Sequence, residues 1–150
     1  MIQTNLDDFV EKVEALTDTR PVQYSGIGGD QTFEIPAAHL AVITRTINEV
    51  FDCSHLSAIT AQQRGDQAQE IEVLYHFWHG VGFSFLIRLP AGSPELPSIS
   101  KIIPGADFYE REAAEMFGIR FSGREETPPL LLPDDWVAGP PFIRKEAQDD

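Results

Sequence analysis

A chain of 150 residues, 42% hydrophobic and with ten phenylalanines, is long enough to enclose the core of one compact domain. Its 24 acidic and 11 basic side chains leave a formal charge of −13, which repels phosphate backbones and anionic lipid and argues against nucleic-acid binding or direct membrane docking. The single cysteine, Cys53, excludes an internal disulfide and cannot supply four-cysteine ligation for a cluster, which fits a reducing cytoplasm.

The first residues lack the basic-then-apolar pattern of a signal peptide, and no apolar run approaches the roughly 20 residues of a membrane span. Leu6, Phe9, Val10, Val13 and Leu16 recur at helical spacing and predict a helix over about 5–17, with Thr4 and Asp7 as start signals. Short strands are expected at Pro21–Ser25 and Gln31–Ile35, with the turn Gly26-Ile27-Gly28-Gly29-Asp30 between them. Pro36 suits the first turn of a second helix over about 37–51, lined by Leu40, Ile43, Ile47, Val50 and Phe51. Cys53, just beyond it, reads as a small buried residue.

Three strands follow: His55–Ala61, Glu70–Trp78 and, after a tight His79-Gly80 turn, Val81–Leu89. In the second of them Ile71, Val73, Tyr75 and Phe77 share a face, against Glu72, Leu74, His76 and Trp78. In the third, Val81, Phe83, Phe85, Ile87 and Leu89 oppose Gly82, Ser84, Leu86 and Arg88, which predicts an antiparallel hairpin with one buried face. His76 and His79 then face opposite sides, so a metal site there is not expected. Pro90–Pro104 reads as a Pro/Ser-rich linker before a third helix at Ala106–Phe117. The order α-β-β-α-β-β-β-α predicts a two-layer α+β fold, with a mixed or antiparallel sheet and helices on one face.

The end of the chain is different. Prolines at 128, 129, 133, 140 and 141 prevent long helices and central strands, yet Phe121, Leu130, Leu131, Leu132, Trp136 and Phe142 make it too apolar for a disordered tail. The expected organisation is an α+β domain over 1–120 and an extended partner-docking tail over 121–150. Asp134-Asp135 before Trp136 reads as a turn or helix cap.

The densest polar cluster is Asp107-Phe108-Tyr109-Glu110-Arg111-Glu112-Ala113-Ala114-Glu115-Met116-Phe117-Gly118. One reading is a solvated helix face in which Arg111 pairs with Asp107 or Glu115, closed by Gly118 as a left-handed cap. The other is a small hydrolase using Glu112 and Glu115 as an acid–base dyad. No nucleophile or metal-ligand pair accompanies that dyad, and the Gly-rich run at 26–29 lacks the spacing and the strand-to-helix setting of a dinucleotide site.

The run Glu110-Arg111-Glu112-x-x-Glu115-Met116-Phe117-Gly118-Ile119 resembles the signature of the 30 kDa subunit family of respiratory complex I, NADH:quinone oxidoreductase. Pro128-Pro129-Leu130-Leu131-Leu132-Pro133-Asp134-Asp135-Trp136 and Pro140-Pro141-Phe142-Ile143-Arg144-Lys145-Glu146 resemble its later motifs, in the same order. Leu56–Ala61 and Glu72–His76 resemble its strand region, so that the likeness covers about residues 30–146. The chain departs from the pattern at Ala114, Glu115 and Arg124, and its short form is similar to hydrogenase-type relatives.

The resemblance implies a non-catalytic subunit of the hydrophilic arm, peripheral on the cytoplasmic side of the membrane. It implies no bound cofactor, with Fe–S clusters, FMN or a NiFe site on partner subunits. It also implies docking on the large, 49 kDa-type subunit beside the quinone pocket, next to Fe–S subunits. The parent complex stays open between NADH:quinone oxidoreductase, a membrane-bound nickel–iron hydrogenase and an F420H2 dehydrogenase. The residues it singles out are Glu110, Arg111, Glu112, Glu115, Phe117, Gly118, Leu131, Pro133, Asp135, Trp136, Phe142, Arg144 and Lys145.

Overall fold

The computed structural model describes residues 2–26, 30–51, 55–66 and 68–144, with side chains from Leu6 onward. The middle of the expected 26–30 turn, Cys53 and Lys145 lie outside the described residues. Helix α1 (Ile2–Thr17) leads to strands β1 (Val22–Ser25) and β2 (Gln31–Glu34). After a short 3-10 turn at Ala37–His39 come α2 (Leu40–Val50), β3 (His55–Arg64), β4 (Glu70–Trp78) and β5 (Gly82–Pro90). Strand β6 (Glu95–Pro97), α3 (Ala106–Phe117) and β7 (Arg120–Ser122) follow.

The main sheet has the order β1-β2-β5-β4-β3. It is mixed: β2 runs parallel to β5, and the other pairs are antiparallel. In register, Tyr75 faces Phe85 and Phe77 faces Phe83, so the apolar set of each strand falls on one side. Against that side α1 lays Leu6, Phe9, Val10 and Val13, and α2 lays Leu40, Ile43 and Ile47. The ring of Phe9 lies 5.5–6.2 Å from those of Phe33, Phe51 and Phe85, which join both helices to the sheet in one aromatic cluster. Thr44 and Thr46, buried in α2, donate their hydroxyls to the carbonyls of Leu40 and Val42, so neither is left unsatisfied.

The opposite side of the sheet is mixed, with Leu74, Leu86 and an exposed Trp78 among charged and polar side chains. Glu72 is only 5% exposed there because Arg88, at 2.6 Å, and the Gln62 amide, at 2.7 Å, close over its carboxylate. His76 stands between Thr60, 2.9 Å from Nε2, and Ser84, 2.8 Å from Nδ1, and its burial lowers its pKa. His79 lies beside Phe51 instead, with ring centroids 5.2 Å apart.

The structure departs from several sequence expectations. Leu16 is 62% exposed, because the last turn of α1 carries it outside the core. The second helix begins at residue 40, behind the 3-10 turn. Strand β3 continues to Arg64, three residues past its expected end. The expected linker contains β6, which pairs in parallel with β7, so β6-α3-β7 is a small crossover unit. Leu96, Ile99 and Phe121 are buried in the common core, and β7 runs across the expected 120/121 division.

Candidate functional site

Helix α3 occupies its expected bounds and packs on β3. Asp107 lies in its first turn, where a carboxylate complements the positive end of the helix dipole. Ala106, Glu110 and Ala113 form its buried face. A register shift between Leu56 and Ala58 interrupts β3, and the Tyr109 hydroxyl donates to the Ser57 carbonyl there at 2.9 Å. Helix and sheet edge are therefore joined where the ladder is irregular.

Glu110 is completely buried. Its carboxylate accepts the Ile99 N–H at 2.7 Å and the Ser98 hydroxyl at 2.7 Å, and Nη1 of Arg124 lies 3.3 Å away. Burial pushes its pKa up, and those three partners only partly offset the effect. Nη2 of the same Arg124 sits 2.6 Å from Asp107. Arg124, with its side chain 13% exposed, is thus the cation that braces α3.

Arg111 does not take that place. It forms no ion pair with Asp107 or Glu115; its Nη2 donates to the Pro128 carbonyl at 3.1 Å, and its buried Nε has no partner among the described residues. The expectation placed the pairing at i±4 within the helix. The structure instead brings in an arginine from the following loop, a relationship that helical spacing does not reveal.

Glu115 holds the segment beyond β7. Its carboxylate accepts the backbone N–H groups of Leu130, of Leu131 at 2.8 Å and of Leu132 at 3.1 Å. Partial burial works to raise its pKa, but the three N–H bonds, with the charge of Arg111, outweigh it and hold the carboxyl below its ordinary value. A groove of about 480 Å³ opens here between α3 and the loop at 123–128, lined among others by Arg111, Glu115, Glu125 and Glu126. Glu112 lines a different groove, of about 330 Å³, with Met116, Phe117 and Phe142. The two glutamates therefore do not converge on one site, and both oxygens of Glu115 are engaged by backbone N–H groups.

Further along, the Pro133 carbonyl accepts the Trp136 N–H at 3.0 Å, so Asp134 and Asp135 form a turn. The Trp136 indole N–H donates to the Gly139 carbonyl at 2.7 Å. Gly118, in the left-handed conformation, closes α3, and Pro140 lies directly over it. The Phe142 N–H donates to the Met116 carbonyl at 3.0 Å, and the Phe142 ring meets Phe117 edge-on at 5.6 Å. Arg144 then donates its N–H to the Gln63 side chain at 2.7 Å, with its guanidinium 3.4 Å from the Gln63 carbonyl.

The C-terminal segment is thus irregular but tied to α3 and β3 of its own chain at successive points. Arg144, one of the residues the resemblance singles out, meets Gln63 of its own chain. Four of the segment's apolar side chains face outward: Leu131, Trp136, Val137 and Phe142 are 43–95% exposed, with Pro133 and Asp135, whereas Ile143 packs against the core. Among the described residues no group of three or more His, Cys, Asp or Glu could hold a metal ion, and no helix is long and apolar enough to cross a membrane.

Known proteins resemble this chain in sequence and in fold. It is 31% identical over 121 residues to the C subunit of the NADH-quinone oxidoreductase of Streptomyces coelicolor, covering 75% of this chain and 47% of that protein. It is 40% identical over 83 residues to the C subunit of the F(420)H(2) dehydrogenase of Methanosarcina mazei, covering 53% and 52%. In these comparisons it spans about half the length of the relative. A solved trypsin-resistant fragment (1–134) of Nqo5 has the same fold, with a TM-score of 0.68 at 19% identity over 82% of this chain and 99% of that one. A model of the family described as respiratory-chain NADH dehydrogenase, 30 Kd subunit, matches residues 33–149, and the chain belongs to that family.

Proposed function

We propose that this chain is a non-catalytic structural subunit in the hydrophilic arm of a complex-I-like NADH:quinone oxidoreductase. Its C-terminal segment docks on the large, 49 kDa-type subunit, beside Fe–S subunits, and so supports electron transfer to quinone. The chain itself binds no cofactor; FMN and Fe–S clusters belong to its partners. It is held peripherally on the cytoplasmic side of the membrane through that assembly. The observation carrying this reading is the outward display of Leu131, Trp136, Val137 and Phe142 on a backbone already fastened to its own domain. Fastening in advance reduces the ordering cost of binding, and aromatic side chains dominate interface energetics.

A second reading places the chain in an F420H2 dehydrogenase or a hydrogenase, and the 40% identity to the Methanosarcina mazei protein favours the first of these. The hydrolase reading is weakened by Glu115, whose oxygens are engaged with backbone N–H groups.

The test is binding of the purified whole chain to the complex lacking this subunit, for wild type and for Trp136→Ala with Phe142→Ala. Both proteins should fold alike and absorb no visible light, and the variant should bind at least roughly tenfold more weakly. Unchanged affinity, or stoichiometric cofactor absorbance, overturns the reading. Side-chain truncation suits this test better than deleting the tail from residue 124, because deletion also removes the partner of Glu110.

A further inference from the structure

The exposed apolar side chains are accompanied by carboxylates that the described residues leave unpaired. Asp134 and Asp135 form the turn that closes at Trp136, and Val137 follows it. Glu125 and Glu126 line the groove on which Glu115 holds the backbone of Leu131. Glu112 lines the groove beside Phe142. None of these five makes a hydrogen bond or ion pair with the described residues. The arginines of the same region are all engaged within the chain. Arg120 is paired with Glu95 and Arg124 with Asp107 and Glu110, while Arg111 and Arg144 are turned to the carbonyls of Pro128 and Gln63.

The surface offered outward therefore combines exposed apolar side chains with five carboxylates that have no partner of their own among the described residues. They stand beside arginines already engaged within the chain and with Lys101 in a second groove with Glu125, on a chain of net charge −13. We infer that its occupant is a protein surface of complementary chemistry: an apolar patch that receives Trp136, Val137 and Phe142, with Lys and Arg side chains facing Asp134, Asp135, Glu125, Glu126 and Glu112. This rests on the docking reading above and adds the character of the partner. Surface charges govern encounter more than final affinity, because they attract the partner at a distance. The apolar side chains govern dissociation.

The experiment measures association and dissociation rates of the whole chain with the complex lacking this subunit, at roughly 0.02, 0.1 and 0.5 M salt, a range over which screening shortens from about 20 to 4 Å. Three proteins are compared: wild type; a variant with Glu112→Gln, Glu125→Gln, Glu126→Gln, Asp134→Asn and Asp135→Asn; and Trp136→Ala with Phe142→Ala. Circular dichroism checks that each is folded. Wild-type association should slow as salt rises. The amide variant should associate roughly tenfold more slowly at low salt, with little salt dependence, while its dissociation rate stays near wild type. The aromatic variant should keep the salt dependence and dissociate at least roughly tenfold faster. If the amide variant associates as fast as wild type at low salt, or faster, the basic-partner inference is overturned, and docking still stands provided the aromatic variant is impaired. If the aromatic variant also binds as wild type, the docking reading falls with it.

Discussion

A Cβ placed on Gly118 would stand 2.8 Å from Cγ of Pro140, so the glycine that ends α3 is also the floor on which the C-terminal segment rests. Its φ of +68° is a conformation that side-chain-bearing residues adopt at a cost. Both effects penalise Gly118→Ala, by about 1–3 kcal/mol for the backbone alone. The melting temperature of that variant should fall, and protease should cut it between residues 123 and 144 faster than wild type. If both are unchanged, the close approach of Pro140 does not matter to the fold.

Glu115 predicts a pH-dependent attachment of the same segment. Its pKa is held below the ordinary value in the folded chain, so its contribution is complete above the unfolded carboxyl pKa and is lost as pH falls through the lowered one. Amide protection at Leu130, Leu131 and Leu132 should drop in that acid range in wild type. In Glu115→Gln, protection should be lower already at neutral pH and change little on acidification. Equal protection in the two proteins at neutral pH would show that the carboxylate does not hold the segment.

Glu110 and Arg124 form a buried pair, and removing Arg124 leaves the buried carboxyl with Ser98 and Ile99 but no cation. Arg124→Ala should destabilise by at most about 3–5 kcal/mol, the scale for breaking a buried ion pair, because Ser98 and Ile99 stay on the carboxyl. Because burial raises the Glu110 pKa, folding takes up a proton there: the contribution is greatest below the unfolded carboxyl pKa and declines as pH rises through the folded one. Glu110→Gln should therefore lose this pH dependence. Urea denaturation of both single variants and the double variant gives the coupling, which should exceed about 1 kcal/mol for residues in contact. Additive losses would mean that the two side chains act independently. Arg111→Ala, which removes one hydrogen bond to Pro128, should cost less than Arg124→Ala.

Tyr75 is fully buried, and its hydroxyl has no partner among the described residues. Burial, reinforced by the charge of Glu110, raises its pKa well above the ordinary value, so the hydroxyl stays protonated. An unsatisfied buried hydroxyl costs about 1–3 kcal/mol, and Tyr75→Phe removes it while keeping the ring. The variant should melt at a higher temperature. A clear loss of stability would reveal a partner for the hydroxyl.

What the sequence determined by itself is what short-range chemistry decides. The bounds of α3 and its glycine stop follow from spacing and from the backbone freedom of Gly118, and the two faces of β4 and β5 follow from the two-residue period of an extended chain. The order of motifs from Glu110 to Arg144 likewise identified the family from residues alone. Tertiary structure decided whatever joins positions far apart in the chain. Strands β6 and β7 are three residues each, too short for a period, and exist because each completes the other across α3. Arg124, and not Arg111, pairs with Asp107, and it reaches Glu110 as well, because folding returns the loop after β7 to the helix. Glu115 ceases to be a candidate acid for the same reason: fifteen to seventeen residues later the chain comes back and places three N–H groups on its oxygens. The apolar residues of the last segment were visible in the sequence. That the backbone is fastened inward while Leu131, Trp136, Val137 and Phe142 face out is a property of the folded path, since hydrogen bonds at Met116, Glu115 and Gln63 fix which side of the segment meets the domain.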